Sequence, residues 1–147
     1  MFKYILNKLP KKDIYREDGS LYLTRYYIYR KKYLWLPSLY IHCFHSSDYD
    51  MELHNHGWEY SCSLILKGKY KEEYRTKDMK VKERILGPGR FNLIKSSKFH
   101  RIDLVTPKVW TLFFSGWKKE GWSWGFWNRD SGLFMNHEDF FKVKNNI

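Results

Sequence analysis

The chain has 147 residues, 27 of them Lys or Arg against 16 Asp or Glu, a net charge of +11, and two cysteines. That length suits one domain with a real core, read here as residues 1–147 with the body over about 20–128. Two cysteines exclude a disulfide framework, and no apolar stretch approaches the length of a membrane-spanning helix.

The excess of basic charge favours anionic partners: a nucleotide, a phosphorylated sugar, another small anion, nucleic acid or a membrane surface. Scattered Lys on strand faces also has a plainer reading as solubility. Residues 1–10 are too few and too mixed in charge for a signal peptide, so a cytoplasmic, reducing setting is expected, with Cys43 and Cys62 as buried free thiols.

The aromatic share is 20%, which favours strands over helices. In chain order, residues 2–9 read as a short amphipathic helical turn. Residues 20–32 read as a strand with a basic exit, and 38–45 as a second strand after Pro37. Residues 58–76 read as two strands joined at Lys67–Gly68. Residues 79–86 alternate, with Met79, Val81 and Ile85 on one face. A turn at Gly87–Pro88–Gly89 follows, then strands over 90–94, 98–105, 108–116 and 122–128. Residues 136–144 read as a helix capped by Asn136. Eight or nine short strands broken by turns predict an all-β sandwich or barrel with short helical segments at its ends.

The segment "MELHNHGWEY" holds His54, His56 and Glu59. In an extended chain, residues i and i+2 point the same way, so His54 and His56 offer two imidazoles to one point. Imidazole is the commonest metal-binding side chain, and His100, at the start of a distant strand, is the candidate third ligand. A polar loop rich in histidine is the alternative. His42 and His45, three apart, face opposite sides and read as structural residues, with His45, Asp48 and Asp50 as candidates for the pocket mouth. His137 reads as a surface residue. Trp58, Tyr60, Tyr70 and Trp124 are candidates to line a pocket, where rings stack on a substrate. Arg101 is a candidate phosphate holder, although in a regular strand it faces away from His100. Trp110 and Phe114 read as packing.

No phosphate-binding Gly loop, Gly-x-Ser-x-Gly elbow, zinc-finger spacing or nucleic-acid-reading motif is present. Nucleic acid therefore stays open as a partner without a motif to support it.

"HNHGWEYSCSLILKG" and "GPGRFNLIKSSKFHRI" together resemble the two motifs of the cupin superfamily. "HSSDYDMELHNHGWEYSCSLILKGKYKEE", "FHRIDL", "VWTLFFSG" and "WSWGFW" look more narrowly like a group of single-domain cupins of bacteria and phages. The resemblance implies a double-stranded β-helix, or jelly-roll barrel, with one divalent metal (Fe, Zn, Mn or Ni) in its mouth. It implies His54, His56 and His100 as ligands and Glu59 as a fourth ligand, a catalytic acid/base or a group orienting an imidazole. It implies pairing of two copies through edge strands. The expected function is a metal-dependent enzyme acting on a small anionic substrate. The alternative is a non-catalytic module that binds a nucleotide, a sugar or nucleic acid.

Overall fold

The computed structural model describes residues 2–30 and 37–145. Lys31 and Lys32, the basic exit of the strand expected over 20–32, lie outside the described residues. The chain runs α1 (Phe2–Lys8), β1 (Lys11–Tyr15), β2 (Leu21–Tyr29), β3 (Ser38–Phe44), β4 (Leu53–His54), β5 (Tyr60–Lys67) and β6 (Tyr70–Arg75). It continues through β7 (Val81–Leu86), β8 (Phe91–Lys95), β9 (His100–Leu104), β10 (Val109–Ser115), β11 (Gly125–Trp127), β12 (Phe134–Asn136) and α2 (His137–Asn145). No helix among the described residues is long and apolar enough to cross a membrane.

The strands form two antiparallel six-stranded sheets. One has the order β1-β2-β3-β10-β5-β8, the other β12-β11-β4-β9-β6-β7. From β3 to β11 the chain crosses between the sheets at every step except β6 to β7, so distant segments become neighbours. In β10 the alternation is complete, with Val109, Thr111, Phe113 and Ser115 buried and the residues between them half-buried. This period of two puts one face of the strand inward. Ile65, Tyr70, Leu86, Ile102 and Val109 form one core cluster, and Leu53, Phe99 and Trp127 form another.

Gly68 closes the β5–β6 turn with φ +84°, and a Cβ there would stand 2.3 Å from the carbonyl oxygen of Lys108. Only glycine meets both demands. Asn136 caps α2 as expected: its Oδ1 accepts from the Asp139 N–H at 2.9 Å, and its Nδ2 donates back to the Asp139 carboxylate.

Two readings of the 79–86 segment change. Met79 has φ 64° and belongs to the turn before β7. Ile85 is 65% exposed. As the edge of its sheet, β7 packs on one neighbour only, so alternation in its sequence does not imply a buried face. Strands β1, β4 and β12 were not expected. Each is short or rich in polar residues; β1 and β4 are held in register by the longer β2 and β9, and β12 by β11, which matches it in length.

Candidate metal centre

His54 and His100 are paired directly opposite one another on the antiparallel strands β4 and β9. Opposed residues hold their Cβ atoms about 5 Å apart, which brings the two rings together. His56 lies just beyond the end of β4. The chain there is held by Asn55, which is fully buried. Asn55 Nδ2 donates to the Ser96 carbonyl at 3.0 Å, and Asn55 Oδ1 accepts from the Gly125 N–H at 2.8 Å. With residue 55 fastened on one side, 54 and 56 project to the other.

The three rings form an equilateral group, each pair of centroids 5.1 Å apart. One nitrogen from each lies within 4.8 Å of the others. The Nε2 atoms of His56 and His100 are 2.9 Å apart. On the far side of its ring, His100 Nδ1 is 2.7 Å from Glu72 Oε1. A carboxylate can only accept, so His100 carries its proton on Nδ1 and turns the lone pair of Nε2 to the cluster. Two lone pairs cannot face each other at that separation without a proton or a cation between them. The donor set fits a divalent metal: three imidazoles, one with its tautomer fixed by a carboxylate behind it.

Electrostatics keep His54 and His56 neutral. Burial lowers the pKa of His54 to about 4, against the pull of Asp48, whose carboxylate is 3.9 Å from His54 Nδ1. Burial likewise holds His56 well below the usual imidazole range, helped by its two neighbouring rings. Glu72 is fully buried. Burial alone would raise its pKa, but the His100 hydrogen bond and Lys98 at 2.7 Å outweigh this and hold it well below the carboxylate range. Arg84 at 2.7 Å and Asn92 Nδ2 at 2.8 Å complete its partners.

The cluster opens into a cavity of about 990 Å³ walled by Trp58, Phe113, Trp124 and Phe126. Trp58 stacks on His56 with centroids 5.8 Å apart, and Trp124 stacks on His137 at 4.6 Å. Tyr70 also lines it, its hydroxyl accepting from Asn92 at 3.0 Å.

Other candidates fall elsewhere. Glu59 is exposed and does not line the cavity. Its N–H bonds the Trp117 carbonyl at 2.9 Å and its carbonyl accepts from Ser96 at 3.1 Å, which fixes the backbone and leaves the side chain to solvent. Among the described residues, the group that could hold a metal contains no carboxylate. The acids beside the triad are Glu72, which approaches His100 from β6, and Asp48, which stands beside His54. Tyr60 is 49% exposed, because it has the outward parity of β5. Arg101 sits on the opposite side of β9 from His100, bound to Asp103 at 2.7 Å and Glu73 at 3.4 Å. His42 and His137, read as structural and surface residues, both line the cavity, as do Asp48 and Asp50. His45 does not: its Nε2 is 3.0 Å from Thr24 Oγ1.

No protein-family profile matches the sequence, and no curated protein shows significant sequence similarity to it. Solved structures do match in shape. Fe(II)-HppE with the alternative substrate (S)-1-HPP superposes with TM-score 0.59 at 15% identity, over 75% of this chain and 57% of that one. Lactobacillus farciminis oxalate decarboxylase, in its formate complex, gives 0.57 at 12% identity over 93% of this chain and 36% of that one. The Drosophila melanogaster CENP-C cupin domain gives 0.54 at 17% identity, over 74% and 75%. This chain has the cupin fold.

The chain spans a little over half the length of HppE and about a third of the decarboxylase. Within this cupin barrel, sequence reasoning missed Glu72, Asn55 and Asn92. The signal for Glu72 was present: Tyr70 and Tyr74 alternate inward, and Glu72 shares their parity.

Proposed function

We propose that the chain is a metal-dependent cupin enzyme that acts on a small anionic molecule in the barrel cavity. The observation that carries this reading is the convergence of His54, His56 and His100, with the His100 tautomer set by Glu72. A divalent cation there, Fe, Zn, Mn or Ni, would supply Lewis-acid or redox chemistry at the positions the three imidazoles leave open. Glu72 keeps a proton on His100 Nδ1 throughout. Asp48, which takes the Tyr22 hydroxyl and stands beside His54, steadies the second ring. Trp58, Tyr70 and Trp124 line the walls, exclude water and offer ring faces to a bound molecule. Two structural neighbours, by name a hydroxypropylphosphonic acid epoxidase and an oxalate decarboxylase, favour a small acid as substrate.

A second reading is a binding module without turnover. It is favoured by the CENP-C match, which covers three quarters of that chain and is also seen with CENP-C bound to CAL1.

Elemental analysis of the purified protein separates the two. The enzyme reading expects about one equivalent of a divalent metal, lost in His54→Ala and His100→Ala. Protein that takes up no metal, even from excess Fe(II), Zn(II), Mn(II) or Ni(II), favours the binding module.

A further inference from the structure

Six charged side chains line the cavity: Arg16, Glu17, Arg25, Asp48, Asp50 and Lys118. Most are already spoken for. Arg16 pairs with Asp18 at 3.6 Å. Glu17 and Asp50 share Lys144, at 2.9 and 2.5 Å. Asp48 takes the Tyr22 hydroxyl and the N–H of Ile102. Lys118 is exposed.

Arg25 is different. It lies on β2 directly across from His42 on β3. Its Nε donates to His42 Nε2 at 3.0 Å, and its guanidinium carbon stands 5.0 Å from the centre of the Tyr40 ring. No described carboxylate pairs with it. One of its five N–H donors is used, and the Nη1/Nη2 edge has no protein acceptor among the described residues. This half-buried guanidinium keeps its Nη edge open to the cavity, where a bound anion can replace water on it. The partner His42 is itself fixed, stacked on Phe113 at 4.8 Å and on Tyr40 at 5.9 Å.

The position of Arg25 relative to the three imidazoles gives the shape of the ligand. Arg25 and His42 are on one sheet; His54 and His100 are on the other, and facing sheets stand about 10 Å apart. A row of rings joins the two places: His42 to Phe113 at 4.8 Å, Phe113 to Trp58 at 5.8 Å, and Trp58 to His56 at 5.8 Å. Flat surfaces of this kind suit a planar, apolar body. Trp122 adds a buried indole N–H in the cavity lining that has no partner among the described residues.

We propose that Arg25 is the anion anchor of the cavity, and that its Nη edge takes the carboxylate of a small aromatic acid whose other end lies at the three imidazoles. The second half of this statement rests on the metal-dependent reading above; the first half does not. Carboxylates bind guanidinium edges in a bidentate fashion, which Lys cannot reproduce.

Benzoate and benzamide, equal in shape and different in charge, are the probes, titrated into metal-stripped protein. Benzoate is expected to bind at least tenfold more tightly than benzamide. Arg25→Gln is expected to weaken benzoate at least tenfold while leaving metal uptake by the imidazoles unchanged. In the unaltered protein, benzoate is expected to shift the Arg25 Nε–H signal in nitrogen-15 NMR, which needs no variant to fold. Equal binding of benzamide, undiminished binding by Arg25→Gln, or an unmoved Arg25 signal overturns the anchor. Because these readings use metal-free protein, a failure of metal uptake overturns the metal reading and leaves the anchor standing.

Discussion

Glu72 and His100 meet across the β6–β9 pairing at 2.7 Å, and this bond decides which imidazole nitrogen faces the cavity. Glu72→Gln keeps the shape and removes the charge. The amide can donate as well as accept, so it no longer fixes the His100 tautomer. Metal affinity is expected to fall by roughly 10–100-fold, as for other carboxylates behind a metal-binding His. The substitution also strips Lys98 and Arg84 of their common anion. Removing one member of a buried ion pair costs about 3–5 kcal/mol, and Arg84, 40% exposed, can recover part of that in water. A loss of about 2–3 kcal/mol in urea unfolding of the metal-free protein is the expected result. Metal titration measures the first effect separately.

Asn55 controls the triad without touching it. Asn55→Ala removes two hydrogen bonds, to the Ser96 carbonyl and from the Gly125 N–H, and leaves both backbone groups buried without those partners. About 2–4 kcal/mol of stability should be lost, from one or two unsatisfied groups at about 1–3 kcal/mol each. The more specific outcome is in metal binding. His56 lies past the end of β4, so its position depends on this clamp more than that of His54, which is paired to His100 in the sheet. Metal uptake should weaken even where the variant remains folded, a combination that circular dichroism with metal titration detects.

The His54–His56 pair was legible because its geometry is local, and the pairing of β4 with β9 brings His100 to it. A His-x-His pair in an extended chain must share a side, and Gly57 and Gly68 frame the strand that follows. Glu59 was chosen by nearness in sequence, and the structure leaves it exposed, outside the cavity lining. Glu72 was not singled out, although it shares the parity of Tyr70, and the sheet pairing of β6 with β9 carries it to His100. Likewise nothing local marks His42 and Arg25 as cavity residues; that follows from which face of β2 and β3 turns inward. His137 follows from where α2 settles, with its first turn against Trp124.

The buried imidazoles give the metal-free protein a defined acid limit. His42, His54 and His56 all have lowered pKa values, caused first by burial. In the unfolded chain they titrate near the usual value of about 6.5. Above that pH neither state is protonated at these rings, and stability does not depend on them. As pH falls below it, the unfolded state takes up protons that the folded state refuses. Stability then drops by at most about 1.4 kcal/mol per pH unit for each ring. For His54 this continues until pH reaches about 4, its folded value. Glu72, held low in the folded state, adds its own loss once pH falls below the usual carboxylate range. Melting temperatures of metal-free protein should be flat from pH 8 to about 7, then fall continuously towards pH 4.

Lys144 holds α2 over the cavity. Its ammonium reaches Asp50 at 2.5 Å, in the segment between β3 and β4, and Glu17 at 2.9 Å, in the segment between β1 and β2. The helix has no buried residue of its own, although Phe140 stacks on Phe126 at 3.9 Å and Phe141 lines the cavity. These ion pairs are partly open to water, Glu17 at 42% exposure, so Lys144→Met should cost the whole protein less than about 1 kcal/mol. Locally the effect should be larger, since ring contacts, the His137 hydrogen bond to the Trp124 carbonyl and the pairing of β11 with β12 would then retain the helix. Amide hydrogen exchange over 137–145 should speed up several-fold while β9 and β10 stay protected. If exchange in α2 does not change, the ion pairs contribute nothing to its docking, and the contacts of His137, Phe140 and Phe141 hold it.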